Sequence, residues 1–231
     1  MSWQVDHLVV GAASLDEGAA WCRATFGVEP AAGGTHALMG THNRLLSIAS
    51  PAHPRSYLEI IAINPHAPPP QRTRWFDLDD EDVQARLVRG PALLHWVARS
   101  TDLQADIAAL AALGIDRCEL LAAERASSQG LLRWRISVRA DGRRIGRGAL
   151  PTLIEWTGPL HPAQALPDSG VMLQRLSLSG LPAPLRARLP AGIECDVGDA
   201  APALRASFAS PRGRVELTGD VASSNDEEGS A

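Results

Sequence analysis

The chain has 231 residues, 45% of them hydrophobic and 21% charged, enough for one large domain or two small ones with a real core. Its formal net charge is -4 and no long basic run stands out, which argues against a nucleic-acid surface, since phosphate binding needs clustered cations. All 22 basic residues are arginine, so Schiff-base and lysine-base chemistry is excluded.

Cys22, Cys118 and Cys195 form no CxxC pair, and an odd, sparse set gives no disulfide framework. They read as small core residues of a protein in a reducing compartment. The N-terminus, Met1 to His7, lacks a basic segment followed by an apolar one, and no apolar run approaches the roughly 20 residues of a membrane helix. The expectation is a soluble, unexported, cytoplasmic protein with no membrane or nucleic-acid partner.

Residues 3–10 read as a strand. A helix follows from Ser14, which can cap it, to Phe26, with Gly27 as the stop; Leu15, Ala19, Cys22 and Phe26 share one face. Gly33, Gly34 and Gly40 mark turns, and residues 43–49 and 56–63 read as strands. The Pro-rich stretch 64–72 is a linker loop, followed by a short acidic helix at about Asp79–Val88. The pattern then restarts: a strand at 92–99, a helix capped by Asp102 and ended by Gly114, and strands at 117–123, 131–139 and 151–157. The last two are separated by an Arg- and Gly-rich hairpin region around Asp141–Gly148.

The restart is a repeat. With His7 aligned to His95, Leu15 falls on Leu103, and the helix-ending Gly27 and Gly114 lie 20 and 19 residues after their histidines. Leu58-Glu59-Ile60 then matches Ile154-Glu155-Trp156. A strand-helix-strands unit is used twice, with His on its first strand and Glu on its last, and two such units can pair their sheets around a shared cleft. A third, abbreviated copy, with strands at 171–179, 203–209 and 213–218 and a helix at 183–189, has no histidine and reads as a structural addition over a sheet edge. The expected divisions are 1–64, a linker 65–90, 91–160, 161–219, and a disordered acidic tail 220–231.

The Asp-His-Leu-Val-Val start, the Trp-Cys-Arg-Ala-Thr-Phe-Gly-Val helix end, and the paired His and Glu strands resemble the vicinal oxygen chelate superfamily. Gly-Thr-His-Asn-Arg-Leu-Leu (40–46) followed by Tyr-Leu-Glu-Ile-Ile (57–61) resembles its glyoxalase-like domain branch. The resemblance implies an α+β fold of paired βαβββ modules, their sheets curled around a metal-centred cleft. Residue by residue it implies a divalent metal (Zn, Ni, Fe or Mn) on His7, Glu59, His95 and Glu155. In glyoxalases a ligand Glu is the base, here Glu155 first and Glu59 second. Such a site, complete in one chain or shared in a homodimer, takes a small substrate with adjacent oxygens.

Two imidazoles and two carboxylates offset a divalent charge and leave two octahedral positions for a chelating substrate; the metal then stabilises an enediolate. Arg44 can pair with a substrate carboxylate, His42 and Asn43 sit beside it, and His36, which precedes a Gly-rich loop, is expected to line the cleft. Trp96 and Trp156, each next to a ligand candidate, fall on the opposite face and read as core. His53, His66 and His161, beside prolines, read as surface residues, and the arginines from Arg133 to Arg147 as a solvated face.

Singly, a His or Glu on an apolar strand is ordinary packing; the joint pattern in two copies favours a metal. Three functions compete: a metal-dependent lyase or isomerase, an extradiol-type dioxygenase on two His and one Glu, and a non-enzymatic binder. The binder predicts an aromatic-lined cleft, against which the aromatic content of 4% argues.

Overall fold

The computed structural model describes residues 3–115, 119–127, 129–190, 192–196 and 203–219. The acidic tail and Cys118 lie outside them. Strand β1 (Gln4–Gly11) leads to α1 (Leu15–Phe26), β2 (Ala31–His36), β3 (Thr41–Ser47) and β4 (Tyr57–Ile63). After the linker and α2 (Glu81–Val88) the unit repeats as β5 (Ala92–Arg99), α3 (Leu103–Ala111), β6 (Glu119–Ser127), β7 (Gly130–Val138) and β8 (Thr152–Trp156).

Local chemistry explains the boundaries. The Ser14 side chain accepts the Glu17 N–H, and Gly27 adopts φ 78° and returns its N–H to the Arg23 carbonyl. Asp80 and Asp102 cap α2 and α3 in the same way. One expectation fails: Gly33 and Gly34 do not turn the chain but lie within β2, paired to β3 across a bulge. A Cβ on Gly33 would stand 2.0 Å from Asn43 Oδ1, so only glycine lets that amide cross the bulge.

The eight strands form one sheet in the order β2-β3-β4-β1-β5-β8-β7-β6, with β1 and β5 antiparallel at its centre. Within each module the last strand runs parallel to the first. The sheet is therefore two βαβββ halves, and it curls until its end strands β2 and β6 approach each other. Strand alternation splits the apolar residues in two. Leu8, Val10, Leu58, Ile60, Trp96 and Leu153 face outward onto α1 and α3; Val9, Ile61, Leu94, Val97, Trp134 and Ile154 face into the curl.

The third unit forms a separate sheet, β10-β9-β11-β12, from β9 (Met172–Ser179), β10 (Ile193–Asp196), β11 (Leu204–Ser210) and β12 (Gly213–Thr218), with the one-turn α4 (Ala183–Arg186). Leu173, Leu176, Leu178 and Phe208 join the outward-facing core rather than extending the large sheet. Phe26 and Phe208 meet edge to face at 5.3 Å, a geometry worth about 1 kcal/mol beyond the area buried. Among the described residues, no helix is long and apolar enough to cross a membrane.

Candidate active site

Inside the first half of the curl, β1 and β4 bring His7 and Glu59 together: Nε2 lies 3.5 Å from Oε2. Both are buried, at 5% exposure each. Their other polar atoms are committed. His7 Nδ1 donates to Asp6 Oδ1 at 2.8 Å, and its ring stacks on Tyr57 at 4.7 Å. Glu59 Oε1 accepts Asn43 Nδ2 at 2.6 Å, while Asn43 Oδ1 takes the Gly34 N–H at 2.8 Å, which fixes the amide's orientation. The same Nδ2 lies 3.3 Å from His36 Nε2, whose Nδ1 meets Thr41 Oγ1 at 3.0 Å. Burial holds the His36 pKa down at about 4 against the pull of Glu59, so the ring is neutral and accepts at Nε2.

Asp6 was not among the expected site residues. Adjacent strand residues normally face opposite ways, but a bulge between Val5 and His7 lets Asp6 and His7 meet. Asp6 is fully buried and also accepts Trp156 Nε1 and His161 Nε2, each at 3.0 Å. Burial raises its pKa, yet the hydrogen bonds from His161 and His7 more than reverse that and hold the carboxyl well below the usual range. His161 caps the turn Pro162–Gln164, its Nδ1 accepting the Ala163 N–H, so Nε2 carries the proton given to Asp6. A histidine 155 residues from Asp6 gives no sequence signal for this contact.

The expected residues divide. His36 and Asn43 line the cleft with His7 and Glu59. His42 and Arg44 alternate to the outer face, where Arg44 pairs with Glu29 at 3.7 Å. His95 is buried, but its Nε2 accepts the Thr152 N–H and lies 3.0 Å from Thr152 Oγ1. Burial and the Arg144 cation depress its pKa to about 3. Glu155 points outward and its Oε2 accepts both Nε and Nη2 of Arg135 in an ion pair, while its neighbours Ile154 and Trp156 enter the cleft. Trp156 is thus cleft wall, not core, and His53 and His161, at 4% exposure, are not surface residues. Nor is Arg144 solvated: its guanidinium pairs with Asp77 at 2.7 Å and bonds the Leu94 carbonyl.

Register explains the split. His7 pairs with Val97 and Val9 with His95, so the halves are related by a two-fold through β1 and β5. Val9 pairs with Glu59, and its counterpart Val97 pairs with Thr152. The counterpart of Glu59 is therefore Thr152, and Glu155 is three residues farther on, on the other face.

Linker residues fill the space between the two half-sites. Trp75 and Phe76 wall both the His7–Glu59 cavity and a second one beside His95 and Thr152, each of about 30 Å³, room for roughly two waters. Phe76 and Asp77 hold positive φ, 62° and 58°, fixed by the buried Arg144 ion pair. Tyr57, Trp75, Phe76, Trp134 and Trp156 line the first cavity, half of the chain's ten aromatics, so low overall content does not argue against an aromatic cleft.

The donor set does not fit the four-ligand metal site. His95 Nε2 is engaged by Thr152 and Glu155 by Arg135, and Asn43 bridges His36 to Glu59. Among the described residues no group of three or more His, Cys, Asp or Glu side chains is arranged to hold a metal ion.

A family model described as glyoxalase-like domain matches residues 5–191. The chain belongs to the glyoxalase-like domain family. No curated protein matches. A hypothetical protein from Staphylococcus aureus shares the fold at TM-score 0.51 and 14% identity, over 78% of this chain and 70% of that one. Methylmalonyl-CoA epimerase from Streptomyces coelicolor matches at TM-score 0.43 and 20% identity, over 70% of this chain and all (100%) of its own. The Mycobacterium tuberculosis epimerase matches at TM-score 0.38 and 19% identity, over 66% and 86%.

Proposed function

We propose that this glyoxalase-like protein is an isomerase or lyase that moves a proton at a carbon next to a carbonyl group, with Glu59 as base and His7 as its proton partner. One observation carries the reading. Glu59 Oε2 and His7 Nε2 face each other at 3.5 Å inside an aromatic-walled cavity, while the other polar atom of each is held by Asn43 or Asp6. Of the pair's own polar atoms, those two are the ones left for a substrate. Glu59 takes the C–H proton, and the electron pair of that bond moves onto the carbonyl oxygen. The proton passes to His7 Nε2, where Asp6 at Nδ1 stabilises the imidazolium; its return to carbon or oxygen completes an isomerisation. The small, preorganised cavity strengthens each of these interactions.

The test is solvent exchange. A panel of small carbonyl compounds in D2O, followed by 1H NMR, shows C–H exchange with the unaltered protein and none with Glu59→Gln. Exchange unaffected by that substitution overturns the proposal, and saturable binding without exchange favours the binder. Elemental analysis runs beside it. The Asp6 carboxylate on Nδ1 also suits a metal-bound imidazole, which favours a second reading in which His7 and Glu59 are two ligands of a divalent ion. Stoichiometric metal lost in a His7→Ala, Glu59→Ala double variant would replace the proton-pair reading with that one.

A further inference from the structure

We infer that Arg125 is the anion-recognition residue of this site and that the substrate is a small carboxylic acid carrying a carbonyl beside the reacting carbon. This inference rests on the proton-transfer reading and adds its substrate class.

Arg125 lies on β6, and its side chain crosses the seam to β2. A Cβ on Gly34 would stand 2.8 Å from Arg125 Nη1 and 3.1 Å from Cδ, so the guanidinium lies over a backbone stripped of side chain. Nearby on the same hairpin, Arg133 is paired to Glu124 and Arg135 to Glu155. Arg125 has no hydrogen bond or ion pair among the described residues, yet it is only half exposed. A half-buried guanidinium without a partner in a built cleft is a binding site for an anion.

Its position says which anion. Arg125 lines the His7–Glu59 cavity and also a groove of about 350 Å³ formed with Ala31, Leu45, Leu132, Pro162 and Leu166. The groove is lined from both end strands and shares Arg125 and Pro162 with the cavity. A carboxylate at the seam would rest on Arg125 together with the adjoining carbonyl oxygen, turning the reacting C–H toward Glu59 and His7, and longer apolar substituents would have room in the groove. The guanidinium also stands where negative charge develops as the proton leaves carbon, so one residue serves binding and enolate stabilisation. Its field reaches the site: it helps keep His36 neutral, behind the larger effect of burial.

The experiment uses the full chain with 2-oxobutyrate and its methyl ester, two probes differing in one charge. Binding is followed by quenching of the cleft tryptophans and C3 exchange by 1H NMR in D2O. The unaltered protein should bind the acid at least about tenfold more tightly than the ester, the increment of one charge-assisted hydrogen bond. Arg125→Met should remove that preference at an unchanged thermal midpoint, and Arg125→Lys should restore part of it. Equal binding of acid and ester, no saturable binding of the acid, or a preference that survives Arg125→Met overturns the inference. Glu59→Gln keeps the two claims apart. An acid preference with no exchange refutes the reaction and leaves the anion site standing; Glu59-dependent exchange without acid preference does the reverse.

Discussion

Thr152 stands in the second module where Glu59 stands in the first, each opposite the valine two residues after the module's histidine. The second half-site thus holds His95 with a hydroxyl in place of a carboxylate. Its Nε2 is taken by the Thr152 N–H, so the two halves of a symmetric fold carry unequal chemistry.

The first prediction separates the two glutamates. Glu59→Gln should abolish proton exchange, while Glu155→Gln should leave it within about twofold. Glu155 holds only an outward ion pair with Arg135, itself 36% exposed, so its loss should cost about 1 kcal/mol or less. Exchange assays and thermal midpoints on both variants check this; equal loss of exchange would place Glu155 in the site after all.

Asp6 ties β1 to β8 and to the segment that follows it. Asp6→Ala strands three buried donors, His7 Nδ1, Trp156 Nε1 and His161 Nε2. Destabilisation of about 3–5 kcal/mol is expected, measured by denaturant unfolding. The milder Asp6→Asn should fold, and 15N NMR of the His7 ring should show its proton no longer held at Nδ1.

The wall between the cavities depends on one ion pair. Arg144→Met leaves the Asp77 carboxylate buried at 8% exposure and unpaired in a left-handed conformation. The expected cost is about 3–5 kcal/mol by denaturant unfolding. Crystals of the variant should show Trp75 and Phe76 displaced and the two cavities merged.

Acid should unfold the protein in a defined window. His95 has its pKa lowered from 6.5 to about 3, and His36 to about 4, mainly by burial. Between those values and 6.5 the unfolded chain binds the protons that the folded chain refuses. Stability is therefore complete above pH 6.5 and falls as pH drops toward 3, by up to about 1.4 kcal/mol per pH unit for each group. His95→Gln should flatten that slope between pH 6 and 4 in urea titrations; an unchanged slope would show that His95 takes up its proton as readily folded as unfolded.

Much of this was legible in the residues. Ser14, Gly27 and Asp102 marked helix ends, and the His7-to-His95 offset marked the duplicated module, because caps and periodicity act over a few residues. The Asn43 and Glu59 positions followed from the Gly-Thr-His-Asn-Arg and Tyr-Leu-Glu strands, and His36 from its place before a Gly-rich loop, although His42 and Arg44 fell to the outer face by alternation. Glu155 looked like the mate of Glu59 because the two tripeptides are alike, but strand register, not likeness, sets which face a residue meets.

The sequence by itself determined the family, the paired modules and the His7–Glu59 pair, since those rest on local pattern and repetition. Only the tertiary structure decided that Thr152 answers Glu59, that a bulge turns Asp6 onto His7, and that His161 and Arg125 reach the same cleft. Register, bulges and contacts across 155 residues are set by how strands pair and curl, and no short window of sequence carries that information.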